Sequence, residues 1–255
     1  TLFHRITDSV HKSGHSRGAK VKLSVALPTL NEEKAIEKVI QDIRLHTPDF
    51  DTEIVICDSS TDRTPRIAAE MGAVVIKQPP RGHGKALLAA MQAATGDLIA
   101  TADCDNTYPM EMIPKMVKLM ADEGLDIISA NRMKSARDTM PLSNQMANHA
   151  FALLVRLLYG IPTSDVSTGM FLMKRDLVKS IQWETNLSFP AELIIRSRLA
   201  GFKWRQVNID YRPRVGEVTL SRWKSGKAYL RCIFKYRFTS GNSKICSKKY
   251  KRYVI

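Results

Sequence analysis

The sequence has no run of about 18 to 20 consecutive apolar residues, the length a helix needs to cross a bilayer, so a spanning segment is not expected. HExxH, GxxxxGK[ST] and GxGxxG are all missing, and no Ser-His-Asp arrangement stands out. Those gaps argue against a zinc hydrolase, a P-loop enzyme and a dinucleotide oxidoreductase. The four cysteines, at 57, 104, 232 and 246, have no CxxC spacing. Neither a zinc finger nor a redox pair is indicated, and a reducing, cytoplasmic compartment is the default. Cys57 lies inside an apolar run and reads as core. Residues 1–20 form a polar, basic arm without the apolar centre of a signal peptide. Internal repeats and low-complexity linkers are absent too.

Acidic residues are scarce in one place. Residues 201–255 hold 15 Lys and Arg against 2 Asp and Glu, whereas residues 1–200 hold 24 against 23. The formal net charge of +14 therefore sits almost wholly at one end of the chain. That asymmetry points to an anionic partner, either nucleic acid or an anionic membrane. Within LSRWKSGKAYLRCIFKYRF, Lys224, Lys227, Arg231 and Lys235 recur at steps of three or four and share one helical face. Tyr229, Leu230, Ile233 and Phe234 lie largely elsewhere. A basic amphipathic helix of this kind is the pattern of a membrane-surface segment, with Leu230, Ile233 and Phe234 as its inserting side chains. The charge belongs to no nucleic-acid-binding module, so no nucleic acid is expected as partner. The expected location is peripheral, on the cytoplasmic face of a membrane.

The remainder alternates. Apolar strand-like runs at 21–27, 53–57, 73–77, 98–102 and 126–130 are separated by amphipathic helical stretches. In the first of these, Ile36, Val39, Ile40 and Ile43 fall at i, i+3, i+4 and i+7, one face of a helix. Further helices are expected at 111–123, 142–159 and 190–200, with strands at 169–174 and 204–211. Strand–helix alternation predicts an α/β, three-layer fold with a mostly parallel central sheet. The chain divides into the arm 1–20, a domain over 21–222 and a basic segment over 223–255. In such sheets ligands bind at the carboxyl ends of the strands.

Two of those ends carry carboxylates: Asp58, and the pair Asp103 and Asp105 in ATADCDNTYP. An unpaired ion out of water costs several kcal/mol. The pair therefore needs a Lys or Arg partner, a metal ion, or exposure to solvent. Side chains at i and i+2 share one side of a strand, so both carboxylates can face one ion, and hard oxygen ligands suit Mg²⁺ or Mn²⁺. RGHGKA, at 81–86, is either a phosphate-facing loop or a glycine-rich turn that opens a helix. His83 and His149 are isolated and read as structural or exposed. A sugar nucleotidyltransferase would want a Gly-rich loop after the first strand, where this chain has PTLNEE.

Seven stretches in order, ALPTLNEEKAIEKVI, IVICDSSTDRT, RGHGKA, ATADCDNTYP, ISANR, SDVSTGMF and YRPRVGEVTL, resemble the family-two glycosyltransferases of GT-A fold over residues 22–222. The resemblance is to the dolichyl-phosphate mannose synthase branch and its polyprenyl-phosphate relatives. It implies a metal-dependent, inverting hexosyltransferase that moves a sugar from a nucleotide sugar to a polyprenyl or dolichyl phosphate. GDP-mannose is the donor expected from the branch, with UDP-glucose or UDP-N-acetylglucosamine as alternatives, and transfer to another glycan acceptor as the rival reaction. The QxxRW signature of processive synthases is absent.

Carried over by motif, Pro28, Thr29, Glu32 and Asp58 would line the nucleoside pocket, with Cys57 where the family usually has a first aspartate. Arg81 and Lys85 would lie beside the nucleotide. Asp103 and Asp105 would hold Mn²⁺ or Mg²⁺, with Thr107 at a further ligand position. Ser129 and Arg132 match the strand that meets the acceptor phosphate. Arg214 matches the arginine before a GxSKL motif, which here reads GEVTL, and Arg222 or Lys224 would supply its missing lysine. Asp105, Arg132 and Arg214 are the expected catalytic residues.

Overall fold

The computed structural model describes residues 20–136, 139–184, 186–215 and 222–238, the side chain of Arg222 excepted. In chain order the elements are β1 (Lys22–Thr29), α1 (Ile36–His46), β2 (Asp51–Asp58), α2 (Thr64–Glu70) and β3 (Val74–Lys77). There follow α3 (His83–Ala93), β4 (Leu98–Thr101), α4 (Met112–Glu123), β5 (Ile127–Asn131) and α5 (Leu142–Tyr159). The last are β6 (Phe171–Lys174), α6 (Arg175–Ser180), α7 (Phe189–Leu199), β7 (Trp204–Asn208) and α8 (Arg222–Phe238). All the strands named above and every anticipated helix form within a few residues of their expected bounds. The short α6 is an addition.

The strands make one sheet in the order β3-β2-β1-β4-β6-β5-β7. Neighbours are parallel except β6, which runs antiparallel to both β4 and β5. The carboxyl ends of β1, β2, β4, β5 and β7 therefore share one edge. Because β6 starts at that edge, with Phe171 opposite Thr101, the loop before it is delivered to the same place. The alternation seen in the sequence had suggested nothing about this reversal.

The sheet is covered on both faces, as a parallel sheet requires. Side chains alternate along β1, so Leu23, Val25 and Leu27 join one core with Ile36, Val39, Ile40 and Ile43 of α1 and Ile113, Met116 and Val117 of α4. Ala26 faces the other core, with Leu87 of α3, Val155 of α5 and Leu193 to Ile195 of α7. Among the described residues, no helix is long and apolar enough to cross a membrane.

α8 belongs to that second core. Tyr229, Cys232, Ile233 and Tyr236 are buried in it. The Tyr229 ring stacks on Phe151 at 5.3 Å, and the Tyr236 hydroxyl donates to the buried Glu192 carboxylate at 2.9 Å. Ile233, expected to insert into lipid, is 0% exposed. Its place at i+4 from Tyr229 puts it on the docked side of the helix, where α5 and α7 already exclude water. Leu230 and Phe234 remain exposed.

Ile233→Ala should lower the unfolding free energy by about 2 to 5 kcal/mol, the range for deleting buried aliphatic groups. Phe234→Ala, one residue on, should change it by less than about 1 kcal/mol. Denaturant unfolding of the two variants decides. Equal and small effects would mean that α8 is not part of the core.

Candidate active site

The loop after β4 bends sharply. Asn106 adopts a left-handed backbone at φ 63°, a conformation that Asn tolerates. The turn brings Thr107 back onto Asp105, whose Oδ1 accepts from the Thr107 amide at 3.1 Å and hydroxyl at 2.6 Å. Thr107, expected as a metal ligand, is buried and spends its hydroxyl orienting Asp105. The other Asp105 oxygen lies 3.0 Å from Arg214 Nη1. Arg214 is delivered by backbone pairing: the Arg212 amide donates to the Thr107 carbonyl at 2.9 Å and the Val215 amide to the Asp105 carbonyl at 3.0 Å. Its second terminal nitrogen reaches Glu32 Oε1 at 3.0 Å. One guanidinium thus spans the loops that follow β1 and β4.

Asp103 is held from two other sides. His83, at the start of α3, places Nε2 2.8 Å from Asp103 Oδ1. On the far side lies Gly169, where a Cβ would sit 2.9 Å from Asp103 Oδ2. Only glycine admits the carboxylate so close. Gly169 is fixed in turn, its amide donating to the Tyr108 hydroxyl at 2.6 Å and its carbonyl accepting from Thr101 at 2.7 Å. His83, read from the sequence as structural or exposed, is therefore part of the acid pair's surroundings. His83 lies in RGHGKA and Gly169 in SDVSTGMF, but neither motif shows its contact with Asp103, which crosses 20 residues in one case and arises from the β6 reversal in the other.

The ends of β1 and β2 lie side by side, with Pro28 beside Cys57 and Thr29 beside Asp58. Thr29 donates to the buried Asp58 carboxylate at 2.8 Å. The two following loops are laced together: the Asn31 amide donates to Ser60, that of Glu32 to Thr64, and Asn31 Oδ1 accepts from the Thr61 amide. Arg81 and Lys85 have exposed side chains on either side of the α3 start. Asn186 packs so tightly there that a Cβ on Gly84 would lie 2.1 Å from its carbonyl oxygen, which explains that glycine without any phosphate.

The two expected acceptor residues are bonded within the protein. Ser129 is fully buried, its hydroxyl accepting from Trp204 and Gln206 at 3.2 Å each; it sits mid-strand, two residues short of the β5 end, and faces β7. Arg132 is also buried, and Asp165 takes its Nε and Nη2 at 2.7 and 2.9 Å. Ser167 accepts from it at 2.7 Å, and its guanidinium lies over the Tyr211 ring. These bonds engage Nε and Nη2 and make Arg132 a brace between the end of β5 and the loop before β6. Its charge still acts on Asp103 through space. Lys224 is exposed in the first turn of α8, and the side chain of Arg222 lies outside the described residues.

The electrostatics follow from burial. Burial pushes Asp105 up from the ordinary carboxylate range, and the charge of Asp103 adds to it against the pull of Thr107 and Arg214. Burial acts the same way on Asp103, but His83, Arg132 and Arg214 outweigh it and hold that group low. Glu32 is raised to about 7, by burial first, with Arg214 opposing and Asp105, Asp103 and Asp62 adding repulsion. Asp105 and Glu32 thus share the Arg214 guanidinium while Asp103 pairs with His83, and a divalent cation would relieve the repulsion that remains between the two aspartates. Among the described residues no group of three or more His, Cys, Asp and Glu has the geometry to cage a metal. The donor set fits an ion held by one or two carboxylates and completed by phosphate oxygens, as Mg²⁺ and Mn²⁺ commonly are.

In the metal-free protein, the folded state binds more protons at Glu32 than the unfolded chain does between pH 4.5 and about 7. Stability should therefore fall as pH rises through that window. Glu32→Gln, which keeps an acceptor for Arg214, should flatten the fall in chelator-treated protein. Parallel stability–pH curves for the two proteins would contradict the assignment.

The Glycosyl transferase family 2 profile matches residues 24–182. The dolichyl-phosphate hexose transferase of Haloferax volcanii is 43% identical over 213 residues, which is 84% of this chain and 92% of that protein. The low-salt glycan biosynthesis hexosyltransferase Agl6 of the same organism is 34% identical over 82% of this chain, which spans only 52% of that longer protein. Among solved structures, glucosyl-3-phosphoglycerate synthase from Mycobacterium tuberculosis, in complex with Mn²⁺, UDP and phosphoglyceric acid, superposes with a TM-score of 0.70 at 23% identity. The match covers 93% of this chain and 83% of that one. The expected GT-A architecture is thus the one observed, and the chain belongs to glycosyl transferase family 2.

Proposed function

We propose that this glycosyltransferase moves a hexose from a nucleoside-diphosphate sugar to the phosphate of a dolichyl or other polyprenyl phosphate at a membrane surface. The observation that carries this reading is the Arg214 guanidinium, set 3.0 Å from both Asp105 and Glu32 at the strand ends. It places a fixed positive charge beside an acidic pair suited to a cation, where a diphosphate would leave. The Haloferax relative, matched over most of both chains, supports the lipid-phosphate acceptor.

Asp103 and Asp105 would hold Mn²⁺ or Mg²⁺, and a same-fold protein that binds Mn²⁺ with UDP supports a divalent ion here. When bound, the ion neutralises charge that grows on the leaving diphosphate as the sugar takes on oxocarbenium character. Arg214 adds a preorganised donor to the same charge. Asp58 and Thr29, buried and bonded to each other at the ends of β2 and β1, would lie beneath the nucleoside, with Pro28 on the β1 side. Arg81 and Lys85 can swing toward the diphosphate from the start of α3. A phosphate monoester has a second pKa of about 6, so its oxygen attacks as an anion and needs no strong base. Direct displacement at the anomeric carbon inverts its configuration.

The test is transfer of labelled sugar to dolichyl phosphate in detergent with Mn²⁺, offering GDP-mannose, UDP-glucose and UDP-N-acetylglucosamine in turn. One donor should yield a lipid-extractable sugar phosphate, and GDP-mannose is the first expectation. Arg214→Ala should lower kcat about 100-fold or more, as loss of a transition-state donor does, with a smaller change in the lipid KM. Transfer from these donors only to water-soluble glycans would overturn the proposal.

A further inference from the structure

Two arginines act on the acid pair, and they are held differently. Arg132 gives Nε and Nη2 to the buried Asp165, lies over the Tyr211 ring and is 7% exposed. Arg214 is tied at its tip to two carboxylates, Asp105 through Nη1 and Glu32 through Nη2, and 32% of its side chain meets solvent. Its main chain is held separately, by the Arg212 and Val215 amides on either side. Arg212 adds an ion pair to Glu111 at 2.6 Å. The guanidinium can therefore change partner while the backbone that delivers it stays in place.

The two aspartates differ in access as well. The Asp103 side chain is 28% exposed, whereas that of Asp105 is only 2% exposed. Both Asp105 oxygens are engaged: Oδ1 accepts twice from Thr107, and Oδ2 faces Arg214 Nη1 at 3.0 Å. Of those two partners Thr107 is buried and Arg214 is not, so the way from solvent to Oδ2 passes the guanidinium. A hard cation binds about 2.1 Å from a carboxylate oxygen. On Oδ2 it would stand within about 5 Å of Arg214 Nη1 as now placed, and like charges that close, in a site shielded from water, repel strongly.

We propose that Arg214 guards Asp105: its guanidinium and a divalent cation take the place at Oδ2 in turn, and Nη1 moves to a diphosphate oxygen when the donor arrives. Glu32 is the positioning residue in this exchange. It keeps Nη2 at the strand ends, so that Nη1 turns about a held point and stays within reach of the diphosphate. The forked guanidinium suits this task, because its two ends serve two acceptors at once, as a lysine ammonium does not. Binding order follows. A cation by itself reaches Asp103 but gains Asp105 only by breaking an ion pair, with no new acceptor for Nη1. A diphosphate supplies that acceptor through a charge-assisted bond. Arg214 thereby makes the site selective for a cation that comes with a donor. The exchange rests on the diphosphate reading above and gives Arg214 a task in binding that precedes its part in the transition state.

Mn²⁺ binding and diffraction on the full chain test it. Without nucleotide, Arg214→Gln should bind Mn²⁺ about fivefold or more tighter than wild type, because the competitor for Oδ2 is gone, and UDP or GDP should then tighten binding less than in wild type. A crystal structure of wild type with Mn²⁺ and UDP, which needs no variant, should show Mn²⁺ on both aspartates. In it Arg214 Nη1 should lie beyond about 4 Å from Asp105 Oδ2, outside ion-pair distance, with Nη2 still on Glu32. Unchanged or weaker Mn²⁺ binding by an Arg214→Gln protein of wild-type melting temperature would overturn the exchange. So would Mn²⁺ seated on Asp105 with Arg214 still paired to that oxygen, an outcome that leaves the diphosphate reading standing. Mn²⁺ found away from both aspartates, with an affinity that nucleotide does not alter, would remove the reading and the exchange together.

Discussion

Two carboxylates at the buried end of a central strand repel each other, and the chain must hold them together. Burial raises Asp105, and the charge of Asp103 adds to it. Positive groups converge on the pair from three parts of the chain: His83 from α3, Arg214 from the segment after β7, and Arg132 through space from the end of β5. The supporting geometry serves the same end. Asn106 takes a left-handed backbone so that Thr107 can return to Asp105, and Gly169 forgoes a side chain so that Asp103 fits. A structural salt bridge would need fewer concessions. Repulsion between the two aspartates is still felt at Asp105, and a bound cation would relieve it.

The antiparallel strand β6 makes this convergence possible. Had every strand been parallel, the segment 160–170 would have arrived at the opposite edge of the sheet. Instead it brings Asp165 to Arg132 and Gly169 to Asp103. The same segment is bonded to Asn148 in the middle of α5. One loop therefore links the acid pair, the brace at the end of β5 and the helix α5.

Much of this was legible in the sequence. Ile36, Val39, Ile40 and Ile43 announced a helix, and the apolar run before Asp103 announced a strand end, because burial imposes periodicities that are local. Asp103, Asp105, Asp58, Thr29, Glu32 and Arg214 do gather at one edge, as their motifs implied. The internal partners of Arg132 and Ser129 were not legible, because they lie 33 or more residues away. An arginine at a strand end reads the same whether it meets a substrate phosphate or a buried aspartate. Ile233 was misread for a related reason: a helical face can be drawn from spacing, but which face docks depends on α5 and α7. His83 was passed over because an isolated histidine shows nothing of its neighbour across the fold.

On the proposed reading, Asp103 and Asp105 bind a divalent cation together with a diphosphate. Titration of the full chain with Mn²⁺, followed by the electron paramagnetic resonance of the free ion, measures this directly, without and then with GDP or UDP. A nucleoside diphosphate should tighten Mn²⁺ binding about tenfold or more, a coupling within the usual range for linked sites, and Asp105→Asn should remove the tightening. Mn²⁺ affinity unchanged by either nucleotide, or a gain that survives in Asp105→Asn, would contradict it.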